Sequence, residues 1–241
     1  MCYYLFMATL VFDIETVGED FDSLDEATQS VLTRWIEKSS QSEEEYKIAL
    51  EDVKNGLGFS PLTGSICAIG VFDVEKEKGA VYFQAPGQKA VDIEENGVKL
   101  KSMTEKEMLE SFWKGAENYD TFVTFNGRSF DAPFLALRSA AHNIRPSKDL
   151  LSNRYLSLQR AGAKHVDLLD QLTFYGAMWK KPSLHLVCRA FGIESPKASG
   201  TTGDDVAGLF KAKKFIDIAR YNVGDLRATS ALYEKWKKYL A

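Results

Sequence analysis

The stretch LVFDIET, residues 10–16, places two carboxylates in a segment that otherwise has the composition of a buried β-strand. Side chains alternate between the two faces of a strand, so Asp13 and Glu15 point to the same face. Two like charges this close repel each other, and burying them without a partner costs further free energy. The pattern favours a strand leading into a site where something positive collects both acids, and a solvated pair at a strand end is the alternative.

The length and composition indicate one large α/β domain, or one domain with an insertion. The chain has 241 residues, of which 45% are hydrophobic, enough for a full core. Its net charge of −4 means that contact with nucleic acid requires a local patch. The apolar residues 1–14 are too few to cross a membrane, which takes about 20, so we expect a first strand and no membrane partner. Three scattered cysteines fit reduced thiols in a cytoplasmic protein.

An acidic segment follows the first strand. Residues 19–55 hold eleven acids and four bases, a net charge of −7. Apolar residues such as Val31 and Trp35 recur in it at helical spacing, and disordered segments carry few such side chains. We therefore predict a helical insertion over about residues 19–58. Its apolar stripe predicts packing on the domain or on a protein partner. Its net charge predicts that residues 19–55 form a gate or partner-binding lid that narrows access to single-stranded 3′ ends, with Glu43–Glu45 repelling the polyanion.

Downstream, strands and helices alternate, as is typical of an α/β fold. Strand patterns end in turn signals, and helix patterns begin at capping residues such as Thr104, which has Glu107 three residues on. Strands are predicted at 65–75, 79–84 and 121–125. Helices are predicted from Thr104, over 130–142, from Ser183 to Gly192, and over about 213–240. The segment HVDLLD predicts a further strand that runs into a helix.

The stretch TFVTFNGRSFDAPFL, residues 121–135, brings a third acid to the end of a predicted strand. Asp131 lies near the start of the following helix, where an acid gains about 0.3–1 kcal/mol from the helix dipole. That explanation leaves Asn126 and Arg128 unexplained. They place a turn and a guanidinium suited to phosphate beside the acid, so a structural and a functional interpretation both stay open.

The stretch ARYNVGDLRATSALY, residues 219–233, brings a fourth acid on a predicted helix. Tyr221 and Asp225 are four residues apart and share one face of that helix. An ordinary helix face, with a packed tyrosine and a solvated acid, is the alternative. Gly224 costs about 1 kcal/mol relative to alanine within a helix. A close approach of substrate or backbone would account for it.

FDIET, FNGRSFDAPFL and YNVGD, in this order, resemble the three motifs of the DEDD superfamily of 3′–5′ exonucleases. Tyr221 lies four residues before Asp225, as in the tyrosine subgroup, whereas the histidine subgroup would carry a histidine at the position of Arg220. SLHLVCRAFGI and DDVAGLFKAKKFIDIARYNVGDLRATSALY are similar to the branch related to the exonuclease domain of family B DNA polymerases. The resemblance covers residues 8–16 and most of 60–238, and it leaves the acidic insertion unmatched.

The resemblance implies an RNase H-like three-layer α/β fold, a central mixed β-sheet flanked by helices, as a single domain over residues 1–241. It also implies two divalent cations, Mg²⁺ or Mn²⁺, whose charge would neutralise the two carboxylates of LVFDIET. Their ligands would be the four acids of the motifs: Asp13, Glu15, Asp131 and Asp225. By the same resemblance Asp13 bridges both ions, Glu15 and Asp225 hold the ion that carries the attacking water, and Asp131 supports the other.

The remaining site residues follow from the same motifs. Tyr221 would orient the attacking water, and Asn126 and Arg128 are candidate contacts to the substrate. The implied activity is 3′–5′ hydrolysis of single-stranded nucleic acid, DNA in preference to RNA, to nucleoside 5′-monophosphates. The partners would be single-stranded DNA or RNA 3′ ends. The alternative is a catalytically silent module that keeps the fold and binds nucleic acid or protein.

Overall fold

The computed structural model describes residues 8–195 and 205–241. Within them one mixed sheet is formed by β1 (Thr9–Gly18), β2 (Gly64–Asp73), β3 (Lys78–Phe83), β4 (Asp92–Glu95), β5 (Val98–Ser102), β6 (Thr121–Thr124) and β7 (Lys164–Asp167). The order across the sheet is β4-β5-β3-β2-β1-β6-β7. Central β1 is antiparallel to β2 and parallel to β6. The expected start of the first strand at residues 1–7 lies outside the described part of the chain.

The helices of the described residues are α1 (Glu26–Ser39), α2 (Glu43–Gly56), α3 (Glu105–Ala116), α4 (Asp131–Ala141), α5 (Leu168–Leu172), α6 (Leu184–Phe191), α7 (Val206–Lys211) and α8 (Phe215–Tyr239). The predicted caps are confirmed: Thr104 and Glu107 form a capping box at the start of α3, and Gly192 ends α6 in a left-handed conformation with φ 66°. In the described part of the chain, no helix combines the length and apolar character that crossing a bilayer requires.

The strand β1 separates two apolar layers because its side chains alternate. Leu10, Phe12 and Ile14 are buried in a core shared with α3 and α4, where the Phe12 and Phe112 rings meet edge to face at 5.4 Å. Val11 faces the other way, into a core shared with α8. The same alternation sends the two acids of β1 toward α8, which confirms the predicted shared face.

The acidic segment forms two helices, α1 and α2, between β1 and β2, so the predicted helical structure is confirmed. A 3₁₀ turn, Leu57–Phe59, ends the segment and packs against the end of β1. The Thr16 hydroxyl donates a hydrogen bond to the Gly58 carbonyl at 2.7 Å. A Cβ on Gly18 would lie 2.8 Å from the Gly58 nitrogen, so only glycine permits this approach. The segment is therefore fixed at the carboxyl end of β1.

Candidate active site

Three of the four predicted acids meet where α8 crosses the sheet. Asp13 and Glu15 reach this point from β1, and Asp225 reaches it from α8. One carboxylate oxygen from each lies within 4.8 Å of the other two. A register shift between β1 and β2 after Glu15 leaves Cys67 as an extra residue, and such bulges often re-aim side chains beside active sites. The fold thus brings acids that are about two hundred residues apart in the sequence into one carboxylate cluster.

Asp131 lies beside this cluster and is bound to the backbone of β1. Its side chain is buried at the first turn of α4, and its Oδ1 accepts a hydrogen bond from the Ile14 N–H at 3.0 Å. The ladder between β1 and β6 runs only as far as Val11, so β6 does not take that N–H. The charge of Asp131 also raises the pKa of Asp13. All four predicted acids therefore lie close enough for their charges to influence one another's pKa.

The electrostatics of the cluster favour a bound cation. Burial, followed by the negative charges of the neighbouring acids, raises the pKa of Asp13 and of Glu15 well above the ordinary range. Burial also raises the pKa of Asp131 to about 7. The charges that act most strongly on Asp13 and Glu15 are all negative. Hard carboxylate oxygens collected in this way fit Mg²⁺ or Mn²⁺, which prefer oxygen ligands.

The structure adds a residue that the sequence analysis missed, Asn222 on α8. Its fully buried amide donates to Asp13 Oδ2 at 2.7 Å and lies 3.3 Å from Glu15 Oε1. The opposite amide orientation would point an oxygen at two carboxylates, so the nitrogen must face them. Among the described residues, the Asn222 Oδ1 atom has no hydrogen-bond partner. Asn222 therefore links both acids of β1 to α8.

Gly70 makes room for that contact. It pairs with Asp13 across the β1–β2 ladder, and a Cβ at this position would lie 1.8 Å from Asn222 Oδ1. A glycine inside a strand often marks the close approach of another chain segment. Here that segment is α8. Gly70 within SICAIGVFD was the available sequence signal for this packing, and the apolar pattern of the strand hid it.

Tyr221 lies one helical turn before Asp225 on α8, as predicted. Its hydroxyl lies close enough to Asp225, Glu15 and Asp13 for their charges to act on it. Burial and then the charges of Asp225 and Glu15 raise the tyrosine pKa far above its ordinary value. The hydroxyl therefore stays protonated at neutral pH and keeps a hydrogen to donate.

The structure places Asn126 and Arg128 in a turn held by another acid. Asp167 caps α5 and accepts hydrogen bonds from the backbone N–H groups of Asn126 at 2.9 Å and of Arg128 at 3.0 Å. The Arg128 guanidinium donates to the carbonyls of Leu150 at 3.0 Å and Leu151 at 3.4 Å. These bonds fix the loop beside α4, and substrate contact by Asn126 and Arg128 stays a prediction.

The sheet and the site first define a class of protein: an RNase H-like α/β domain with an acidic cluster on its central strand. The chain belongs to the family of predicted 3′–5′ exonucleases related to the exonuclease domain of PolB, whose model matches residues 79–240. Asp131, Tyr221 and Asp225 fall within the matched residues, whereas the acids of β1 precede them. The predicted family membership is thereby confirmed.

The fold is also similar to that of a solved structure, the family B DNA polymerase from the hyperthermophilic archaeon Pyrobaculum calidifontis. The TM-score is 0.57 at 18% sequence identity, over 96% of this chain and 24% of the polymerase chain. This likeness confirms the RNase H-like fold, while the chain spans about a quarter of the polymerase chain. No curated protein matches the chain.

Proposed function

We propose that the chain is a metal-dependent 3′–5′ exonuclease that hydrolyses single-stranded nucleic acid, DNA in preference to RNA, to nucleoside 5′-monophosphates. One observation carries the proposal. In a chain of this exonuclease family, carboxylate oxygens of Asp13, Glu15 and Asp225 lie within 4.8 Å of one another, with Asp131 beside them. The DNA preference rests on the relation of the family to a DNA polymerase domain.

The four acids are the proposed ligands of two divalent cations, Mg²⁺ or Mn²⁺. When bound, such ions supply charge neutralisation at the attacking and leaving oxygens of a phosphodiester. The side chain of Asn222 holds Asp13 and Glu15 ready, which lowers the cost of organising the site. The Ile14 N–H holds Asp131 in the same way. The protein thus supplies a fixed set of oxygen ligands.

Tyr221 is the proposed residue that positions the attacking water. Its raised pKa keeps the hydroxyl protonated, so it donates a hydrogen bond and does not act as a base. The charges of Asp225 and Glu15, two of the proposed ligands, act on this hydroxyl, which places it beside the cluster. Asn126 and Arg128 remain proposed substrate contacts, and Arg128 keeps three of its five N–H groups beyond the two carbonyl bonds.

We also propose that α1 and α2 bind a protein partner and belong to one domain with the sheet. Val31, Trp35 and Ile48 are large apolar side chains on these helices, and each is more than half exposed. Such residues support a binding surface when they occur together.

The buried free thiols of Cys67 and Cys188 support a reducing, cytoplasmic location.

The test is hydrolysis by the purified protein of a 5′-labelled single strand, as DNA and as RNA of the same sequence. We expect a ladder shortened from the 3′ end in Mn²⁺ or Mg²⁺, faster with DNA, and no products in chelator. Asp225→Asn should remove the ladder, and the control Asp52→Asn, at an exposed position on α2, should keep it. A folded wild type that binds the strands without cutting them in either metal would refute the enzyme and favour the silent binding module.

A further inference from the structure

A cleft of about 590 Å³ opens beside the carboxylate cluster, and Glu15 forms part of its wall. The other walls come from the end of β1, the start of α7, Phe130 and the end of the acidic segment at Lys54–Phe59. The volume falls in the range of about 300–1,000 Å³ that is typical of ligand pockets. The acidic segment therefore contributes directly to the space in front of the cluster.

Phe59 is an aromatic side chain left largely in solvent at the edge of this cleft. It is 63% exposed, although its backbone lies in the fixed 3₁₀ turn Leu57–Phe59. Phe130 lines the same cleft from the turn before α4, and its ring packs at 5.4 Å on Phe134. Aromatic faces beside a polar groove are the usual platforms on which the bases of single strands stack.

Lys54 brings a positive charge to the same wall. Its ammonium lies 3.3 Å from Asp22 and 5.4 Å from the centre of the Phe21 ring, so the side chain is held toward the base of the segment. Glu19 lines the cleft as well, so the cleft also contains an acid besides Glu15. Lys54 and Phe59 line the same cleft, which fits a nucleotide with a phosphate near the lysine and a base near the Phe59 ring.

The wall is preformed. Thr16 is hydrogen-bonded to the Gly58 carbonyl at 2.7 Å, and Thr63 donates to the Leu57 carbonyl at 2.8 Å. The mutual approach of Gly18 and Gly58 leaves no space for a side chain between them. These contacts hold the backbone at Phe59 in place beside the cleft before any substrate arrives.

We propose that Phe59 and Lys54 form a substrate wall: Phe59 stacks on the base of the 3′-terminal nucleotide, and Lys54 contacts a backbone phosphate. The inference rests on the proposed function and specifies what binds at its site. It also assigns the contact with substrate to the end of the acidic segment, and not to the acidic cluster Glu43–Glu45 from which the sequence predicted a gate. Glu43–Glu45 begin α2, about 15 Å along the helix from Asn55, so the acidic cluster does not line the cleft.

The first test is equilibrium binding of a fluorescent single-stranded oligonucleotide in Ca²⁺, with a normal or an abasic 3′-terminal residue. Base stacking on one aromatic side chain is worth about 1–3 kcal/mol, so Phe59→Ala should weaken binding of the normal end about 5- to 150-fold. The abasic end should lose less than about 2-fold, because it has no base to stack. Phe59→Trp should retain the wild-type preference for the normal end.

Leu62→Ala is the matched control, since Leu62 is 78% exposed near Phe59 and does not line the cleft. We expect wild-type binding from it. Equal affinities of Phe59→Ala and Leu62→Ala for the normal end would overturn the role of Phe59. So would an equal loss on normal and abasic ends, because stacking requires the base.

The second test is the salt dependence of the same binding. Lys54→Gln should weaken binding of both ends alike and reduce the slope of log K against log salt by about 0.7, the value for one phosphate contact on a single strand. Lys47→Gln, at an exposed lysine of the same helix, should leave the slope unchanged. Identical slopes for Lys54→Gln and wild type would remove Lys54 from the wall.

The binding readout separates this inference from the proposed function. Base-dependent binding that Phe59→Ala abolishes, in a wild type that never cuts, supports the wall and refutes the exonuclease. If Phe59→Ala and Lys54→Gln both hydrolyse and bind the strand as the wild type does, the exonuclease is supported and the wall is refuted.

Discussion

Replacing Gly70 by alanine should disable the carboxylate cluster without changing a carboxylate. A Cβ built on Gly70 lies 1.8 Å from Asn222 Oδ1 and 2.7 Å from Leu226 Cδ1. Both contacts are with α8, the helix that carries Asp225. The added methyl group must push Asn222 off Asp13 or lift α8 from β2. Either movement separates the carboxylates that β1 and α8 contribute to the cluster.

The expected loss of stability follows from two effects. Forcing a methyl group into a packed interior costs about 1–3 kcal/mol. Losing a hydrogen bond to a charged group costs about 1.5–3 kcal/mol more, although the two effects overlap. We expect a decrease of about 2–5 kcal/mol in the free energy of unfolding, a large share of the about 5–15 kcal/mol that stabilises a domain.

The assay is chemical denaturation followed by circular dichroism in chelator, together with calorimetric titration of Mn²⁺ into the native protein. The control is Gly115→Ala in α3, where a Cβ meets nothing within 4 Å and helix propensity should raise stability by about 0.5–1 kcal/mol. Combining Gly70→Ala with Asn222→Ala should restore part of the stability, because the closer of the two clashes, with Asn222, is gone, while Mn²⁺ affinity stays low. Wild-type stability and wild-type Mn²⁺ affinity in Gly70→Ala would refute the reasoning.

Three further predictions concern the acids and the tyrosine. Asp13→Asn should abolish hydrolysis in Mg²⁺ yet raise the melting temperature in chelator, since it relieves repulsion; an active variant would contradict the ligand assignment. Tyr221→Phe should lower kcat about 10²- to 10⁴-fold and leave the calorimetric Mn²⁺ affinity unchanged, whereas weakened Mn²⁺ binding would assign the hydroxyl to the metal. In chelator, stability should fall as pH rises from about 4 to about 7, because the folded-state pKa of Asp131 is raised from 3.8 to about 7 and the native protein retains a proton that the unfolded chain has lost. Thermal melts of wild type and Asp131→Asn across this range should diverge, and parallel curves would count against the raised pKa.

The acids could be predicted because each lies in a short motif that resembles one of the exonuclease family, whereas its local pattern alone left a structural alternative open. LVFDIET shows a strand by its own apolar residues, and Asp225 follows Tyr221 at helical spacing. Gly70 and Asn222 could not be assigned in the same way. Their roles depend on the β1–β2 register and on where α8 crosses these two strands. The spacing of apolar residues within one segment reveals neither.

The hairpin of β4 and β5 was also missed, for a different reason. The strand β4 is mostly exposed and charged, so it carries no apolar alternation. The signal was the dipeptide Asn96-Gly97, whose positive φ values of 50° and 77° fit a tight hairpin turn. For Arg128, the sequence did not predict the contacts that the side chain makes. Its sequence context suggested a phosphate contact, but the carbonyls it contacts, Leu150 and Leu151, lie in an irregular segment that no pattern identifies.

The cluster joins an early strand to a much later helix, and this has a consequence for synthesis on the ribosome. Asp13 and Asn222, which share a hydrogen bond, are 209 residues apart. At about 5–20 residues per second, the strand waits about 10–40 s for its helix. During that interval the nascent chain carries the two acids of β1 without Asn222 or Asp225, so it cannot assemble the carboxylate cluster proposed to bind cations. Translation therefore delays any nuclease activity of the chain until α8 has been made and has docked.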